Sequence, residues 1–429
     1  MVTLCLPGRI DGRIQAPVSK SSQQRAIACA LLAKGRSRLF SATDSLCADS
    51  AAALGLAESL GAETAILGDR IEIESPGAAA VMEPRSEGLK SLSCGESGLC
   101  MRMFAPVLAL SSHPFVLKAE GSLRKRPMDM VAASLASMGT SCTCESGLPP
   151  LRIQGPLGGG GYVLDASGSS QFLTGLLMSL PLARKDSFLR VENPVSLGYI
   201  DLTIETCGAF GAVIQRSEDY REYSIKGGQA YEARDFRVEG DWSGAAFLIC
   251  AAAAAGGSLS ISGLRQNSSQ PDRAVLEAAA AAGVSFSWEA RGETLAVHGS
   301  RIHAFDFDAT NCPDLFPPLS ILAAAGSGIS RIKGTHRLKA KESDRAATIA
   351  TLLGNLGVRA RLEDDTLIIE GGRIHGGGVE AAGDHRIAMA AAIAALIASG
   401  PVEIRGSECV SKSWPDFFQA MDGIRRHPA

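Results

Sequence analysis

Gly240-Asp241-Trp242-Ser243-Gly244 runs directly into Ala245–Ala255, a stretch that carries no charge and is mostly alanine. It is too short to cross a bilayer. A helix apolar on all sides has to be buried, so the segment reads as a core helix that opens on a polar cluster. The same arrangement recurs along the chain. Ser21-Ser22-Gln23-Gln24-Arg25 leads into Ala26–Ala33, and Gly95-Glu96-Ser97-Gly98 into Leu99–Leu110. Ser167-Gly168-Ser169-Ser170-Gln171 leads into Phe172–Leu182, Asn311-Cys312-Pro313-Asp314 into Leu315–Ala325, and Gly383-Asp384-His385-Arg386 into Ile387–Ala398.

A second helical series interleaves with the first. Amphipathic patterns end at Leu60-Gly61-Ala62, Met138-Gly139-Thr140, Phe210-Gly211-Ala212, Ala282-Gly283-Val284 and Leu356-Gly357-Val358, with a weaker sixth copy at Phe417–Ile424. Glycine suits the residue after a helix, and a strand-like run follows each one. Each repeat therefore reads as buried helix, strand, amphipathic helix, strand, and often one more strand. Six such repeats predict two domains of three, sheets outside and the Ala-rich helices at the centre. The division falls near Arg237–Asp241, and Gly155–Gly161 reads as a flexible loop within repeat three. The strand-like run Val2–Leu6 precedes the first repeat and is free to join either domain.

The 429 residues are 46% hydrophobic and 20% charged, with a net charge of −3. That is the composition of an ordinary soluble protein with sizeable cores. It offers no electrostatic case for nucleic acid or an anionic membrane. No secretory leader is legible, and a cytoplasmic location is expected. The eleven cysteines lack metal-ligand spacing with histidines. They read as free thiols, although Cys94 and Cys100 flank a Gly-rich turn that would also suit reactive ones.

The polar clusters are the chemistry-bearing parts. Ser, Asp and Asn are expected N-caps. Caps do not account for Lys20, Arg25, Arg102, Gln171 and Arg386, since a cation at a helix N-terminus costs a few tenths to about 1 kcal/mol. Six helix N-termini facing a shared cleft, each with its polar lip, would suit a polyanionic ligand. Lys341-Glu342-Ser343-Asp344-Arg345 adds two cations and a carboxylate at the mouth of a further helix. With Lys341 and Arg345 four apart on that helix, both would face one way, and Glu342 about a quarter-turn aside. The alternative is a charged helix start that complements the dipole. Asp314 is likewise open to two readings, substrate contact or N-cap.

These clusters resemble, in order and over essentially the whole chain, motifs of the enolpyruvyl transferase family, in particular its branch acting on shikimate 3-phosphate. The residues that carry the resemblance are Ser19-Lys20-Ser21 with Arg25, Gly95 to Arg102, Arg126-Pro127, Ser167 to Thr174, Lys341 to Arg345, Asp384-His385-Arg386 and Lys412 before Trp414-Pro415-Asp416-Phe417. The resemblance implies an α/β (α+β) two-domain enolpyruvyl transferase fold, each domain three βαβαββ-type repeats. Residues 1–18 with 240–429 would form one domain and 19–239 the other, with the active site in the cleft between them. It implies transfer of the enolpyruvyl group of phosphoenolpyruvate to the 5-hydroxyl of shikimate 3-phosphate, without metal or other cofactor, by a monomer. Shikimate 3-phosphate would meet Ser21, Arg25, Ser169, Ser170, Gln171, Ser196, Asp314 and Lys341. Phosphoenolpyruvate would meet Lys20, Gly98, Arg126, Gln171, Arg345, Arg386 and Lys412.

In that scheme Glu342 moves the proton at carbon and Asp314 serves the hydroxyl, with Lys341 or Lys20 as alternates. Glu342 must be protonated for the first step, and its neighbouring cations oppose this. The chain departs from the family pattern at Val18 (Gly), Glu96 (Asn), Leu99 (Thr) and Arg337 (Asn). A carboxylate at 96, beside a phosphate site, would repel it unless paired. Two rival readings stand: transfer to UDP-N-acetylglucosamine, whose loop-cysteine motif is not found here, and a non-catalytic anion-binding repeat protein, against which Glu342 and Asp314 argue.

Overall fold

Six helices carry the fold: α1 (Lys20–Leu32), α2 (Gly98–Leu108), α3 (Gln171–Ser179), α4 (Trp242–Ala255), α5 (Phe316–Ala325) and α6 (His385–Ile397). The computed structural model describes residues 1–41, 46–83, 88–289, 292–339 and 341–426. Beyond its opening turn each of the six is apolar and buried on nearly every face. Small side chains let them approach closely. At Gly175 of α3 the backbone lies against the Met103 carbonyl and the Pro106 ring of α2, so that a Cβ there would collide with both. Side-chain caps close three of the N-termini: Ser97 accepts from Cys100 N (3.2 Å), Asp241 from Gly244 N (2.9 Å) and Asp384 from Arg386 N (3.0 Å).

The amphipathic series is Ala48–Ser59, Asp129–Ser137, Leu197–Ala209, Val275–Ala281, Arg345–Asn355 and Phe417–Ile424. The first five give way to Gly61, Gly139, Gly211, Gly283 and Gly357, all at φ between +78° and +102°. That left-handed conformation is nearly free for glycine and costly for other residues. The sixth has no such glycine and passes into Arg425–Arg426, which pairs with Arg9–Ile10.

The strands repeat one pairing rule. A lead-in strand runs parallel to the strand after a core helix, and an antiparallel hairpin completes the sheet. Gly161–Asp165, Ser187–Glu192, Glu222–Ile225 and Ile214–Arg216 follow it in that order, as do Asp306–Asp308, Gly328–Lys333, Thr366–Gly371 and Arg359–Glu363. Besides the pair Arg9–Ile10 with Arg425–Arg426, three sheets draw on distant segments. Tyr231–Glu232 and Asp235–Arg237, which follow the third repeat, run parallel to Ala33–Phe40 of the first. Gly12–Gln15 runs parallel to Ser258–Ser262, and Val2–Cys5 pairs antiparallel with Val402–Arg405.

The chain divides into two compact units, Met1–Ser19 with Glu239–Ala429, and Lys20–Val238. In the first, α4, α5 and α6 pack on one another. The two ends that leave this unit lie side by side: Ser19 N donates to Glu239 O (2.9 Å), and Gln270 bonds Ser19 Oγ (3.1 Å), Trp242 N (3.1 Å) and Gly240 O (2.8 Å). In the second unit α2 and α3 pack closely, and α1 lies against Ala48–Ser59 and Leu197–Ala209.

Candidate active site

In the unit Lys20–Val238 the cationic lips have defined partners. Lys20, the first residue of α1, pairs its Nζ with Asp49 Oδ2 (3.0 Å) in the first turn of Ala48–Ser59. Arg25 is 1% exposed. Its Nε donates to Thr203 Oγ1 (2.9 Å), Nη1 to the Ser21 carbonyl (2.8 Å), and Nη2 to Thr174 Oγ1 (3.2 Å) and the Tyr199 carbonyl (3.4 Å). Burial pulls its pKa down to about 10. Arg25 thus ties α1 to α3 and to helix Leu197–Ala209, the two helices at whose starts Ser169, Ser170 and Ser196 lie. Ser169 Oγ accepts from Gln171 N (3.2 Å), whereas neither Ser170 nor Ser196 uses its side chain as a cap. Ser196 is instead buried in the left-handed region at φ +56°, a strained setting for a non-glycine residue and one that clusters at functional sites.

A second group surrounds the start of α2. The Arg126 guanidinium lies directly over Gly98, leaving no room for a Cβ, with Arg102 Nη1 beside it. Arg102 donates to Gln171 Oε1 (3.2 Å) and to the Pro127 carbonyl (3.0 Å). It joins two expected phosphoenolpyruvate contacts, although its motif position alone gave it no role beyond a cationic helix lip. Arg124 and Lys125 are exposed. Glu96 turns its carboxylate to Ser122, accepting from N and Oγ (2.8 Å each). Cys94 and Cys100 are fully buried, and the hydrogen bond to Cys94 together with burial raises the Cys100 thiol well above its ordinary range, which disfavours a thiolate at Cys100.

In the other unit, one ionic cluster gathers the chemistry. Helix Arg345–Asn355 begins later than the Lys341–Arg345 spacing suggested, because Asp344 caps it by accepting from Ala347 N (3.4 Å). Lys341, Glu342 and Ser343 therefore lie in the turn before the helix, and the same-face argument from helical spacing does not apply. Convergence comes from tertiary packing. Asp314 Oδ1 meets Arg345 Nη1 (2.7 Å) and Lys341 Nζ (3.6 Å), and Oδ2 meets Arg386 Nη2 (3.0 Å). Asp314 is not an N-cap: it sits within the short turn Pro313–Leu315, and α5 is preceded by Leu315.

Arg345 is fully buried among three carboxylates. Besides Asp314 it binds Glu342 Oε2 (2.6 Å, from Nη2) and Asp384 Oδ2 (2.9 Å, from Nε). Glu342 is thus drawn to Arg345 rather than turned aside. Asp384, quoted in its motif without a role, serves both as cap of α6 and as a buried counter-ion. Lys412 is buried at the end of the turn Ser407–Lys412.

The charges shape one another. Burial works to raise the Asp314 carboxyl, but Arg386, Lys341 and Arg345 outweigh it and hold it well below the usual carboxylate range. Burial, partly offset by Asp314, lowers Lys341. Arg337 also faces this group: burial lowers its pKa and Asp314 opposes the shift. A further acid lies behind the cluster. Asp272 is 1% exposed and accepts from Ser243 in the first turn of α4. Burial first and the Asp314 charge second push it up to about 6, against Arg386. Nothing in the sequence around Asp272 singled it out. Among the described residues no three His, Cys, Asp or Glu side chains are grouped to hold a metal ion, and no helix is long and apolar enough to cross a membrane.

Taken unit by unit, the helix ends of Lys20–Val238 carry Lys, Arg and Ser groups of the kind that bind anions, and the other unit carries carboxylates wired to arginines, groups of the kind that move protons. The family described as EPSP synthase (3-phosphoshikimate 1-carboxyvinyltransferase) matches residues 5–421, and the chain belongs to it. The 3-phosphoshikimate 1-carboxyvinyltransferase of Methanoculleus marisnigri is 35% identical over 431 residues, covering 99% of each chain. That of Aeropyrum pernix is 36% identical, covering 96% of this chain and 93% of its own. Among solved structures, an EPSP synthase from Acinetobacter baumannii superposes with a TM-score of 0.82 at 28% identity, covering 99% of this chain and 98% of that one.

Proposed function

We propose that this protein transfers the enolpyruvyl group of phosphoenolpyruvate to the 5-hydroxyl of shikimate 3-phosphate and releases inorganic phosphate. The observation that carries this reading is the Asp314 cluster, where one carboxylate is held ionised by Lys341, Arg345 and Arg386 while Glu342 shares Arg345.

Addition forms the bond from the 5-oxygen to C2 of phosphoenolpyruvate, with a proton delivered to C3. Elimination returns that proton and breaks the C2–O bond to phosphate. Glu342 handles the proton at carbon. Its bond to Arg345 Nη2 is one a substrate anion competes for, so substrate binding loosens Glu342 for that task. Asp314 accepts the hydrogen bond of the 5-hydroxyl, and the hydroxyl proton passes by way of Lys341, its pKa lowered, to the departing phosphate, with Lys20 the alternative.

Ser21, Ser169, Ser170, Gln171 and Ser196 hold shikimate 3-phosphate, with Arg25 behind them fixing the helix ends. Lys20, Gly98, Arg126, Gln171, Arg386 and Lys412 receive phosphoenolpyruvate, and Arg345 joins them by exchanging a carboxylate for the substrate. Both units serve the same turnover, and the protein works as a cytoplasmic monomer.

The test is phosphate release from phosphoenolpyruvate with either acceptor. Release with shikimate 3-phosphate and none with UDP-N-acetylglucosamine is expected; the reverse overturns the substrate. Ser170→Ala and Asp314→Asn, one in each unit, should each suppress turnover. Full activity of either removes its unit from the site. A single species of one-chain mass in light scattering is expected.

A further inference from the structure

We infer that Glu96 is a positioning residue for phosphoenolpyruvate, a latch that holds Arg126 over the start of α2. This rests on the reading of Arg126 as a phosphoenolpyruvate contact.

Arg126 has reason to leave its observed place. Its guanidinium lies on Gly98, the first residue of α2, with Arg102 Nη1 next to it. Two like charges at the positive end of a helix repel each other and oppose the helix dipole. The segment that carries Arg126, the turn Gly121–Lys125 and the residue after it, therefore needs restraint on both sides. On the far side, Arg102 Nη2 holds the Pro127 carbonyl at 3.0 Å. On the near side, Glu96 Oε2 accepts from both N and Oγ of Ser122 at 2.8 Å, and Glu120 N donates to the Gly95 carbonyl at 2.7 Å. The fit is close: Gly121 sits at φ +46°, and a Cβ on it would fall on the Glu96 carboxylate.

The carboxylate at 96 is therefore directed at Ser122 and its two donors. A charge-assisted acceptor is about twice as strong as a neutral one, and glutamate reaches one methylene further than asparagine. Both features suit a latch.

The experiment measures KM for each substrate, kcat and thermal midpoint for Glu96→Ala, Glu96→Gln, Glu96→Asn, Ser122→Ala and Arg126→Lys. Losing hydrogen bonds of this type is expected to raise KM for phosphoenolpyruvate about tenfold in Glu96→Ala. KM for shikimate 3-phosphate should stay unchanged and kcat within about twofold. Glu96→Gln, which keeps reach and an acceptor but not the charge, should raise KM for phosphoenolpyruvate only about threefold; Glu96→Asn, too short, should behave as Glu96→Ala. Ser122→Ala should add little to Glu96→Ala. An unchanged KM for phosphoenolpyruvate in Glu96→Ala, while Arg126→Lys raises it, overturns the latch and leaves the site intact. Both KM values rising together with a lowered midpoint reduces Glu96 to a structural residue and also overturns it. No effect of Arg126→Lys overturns the latch together with the role of Arg126.

Discussion

Glu342 and Arg345 show what a single side chain does here. Their 2.6 Å bond places the Glu342 carboxylate beside the arginine that Asp314 and Asp384 also hold. Glu342→Gln keeps the size and the hydrogen bond to Arg345 but cannot carry a proton to carbon. Turnover should fall by about 10²–10⁴, with both KM values within a fewfold, as read from steady-state kinetics; near-normal turnover removes Glu342 from the mechanism. Asp272 gives a pH signature. Its folded-state pKa of about 6 stands above the ordinary 3.8, so the folded state binds the proton more tightly. Stability from this group is complete below about pH 4 and is lost as pH rises through about 6. The shift corresponds to about 3 kcal/mol. Asp272→Asn cannot ionise, so its urea midpoint, relative to the native chain, should improve between pH 4.5 and 7. A constant difference across that range contradicts the assignment. The motifs made most of these residues legible, but not their partners. Asp49, Thr203 and Asp272 lie outside the quoted motifs, Thr174 and Asp384 lie in motifs distant from the arginines they meet, and residue spacing carries no record of who meets whom.

The helices were legible as elements because burial and periodicity leave a direct trace. A run without charge has to be inside, and a glycine after an amphipathic run marks where the chain turns left-handed. Contact between elements was less so. The α2–α3 contact depends on Gly175, a residue without distinguishing context in the sequence. Gly175→Ala drives a methyl into the Met103 carbonyl and the Pro106 ring. Overpacking of this kind costs about 1–3 kcal/mol, and the unfolding midpoint of the variant should drop accordingly; an unchanged midpoint shows that the two helices can part freely. The pentapeptide Lys341–Arg345 taught the opposite lesson. Its spacing suggested a helical face, yet Asp344 competes as a cap and moves the helix start to Arg345, so three of the five residues act from a turn.

At the scale of the whole molecule, the repeats do not close by themselves. Each sheet needs a lead-in strand, and the fourth takes Gly12–Gln15 from the beginning of the chain. Val2–Cys5 completes the sheet of Gly377–Glu380 and Val402–Arg405. Deleting Met1–Leu6 strips Val402–Arg405 of one neighbour and leaves its ladder groups bare. The truncated chain should unfold at lower denaturant, with the loss confined to the unit that holds Glu239–Ala429; amide exchange resolves the two, and protection lost in Lys20–Val238 instead would contradict the pairing. By itself the sequence determined the six buried helices, their amphipathic partners, the motif residues and the family, because hydrophobic period, glycine placement and charged clusters are local properties. Only the tertiary structure decided which strand closes which sheet, which carboxylate neutralises which arginine, and that Glu96 turns to Ser122. Those are contacts between segments up to hundreds of residues apart, chosen by packing and by the cost of leaving a buried charge or a sheet edge without a partner.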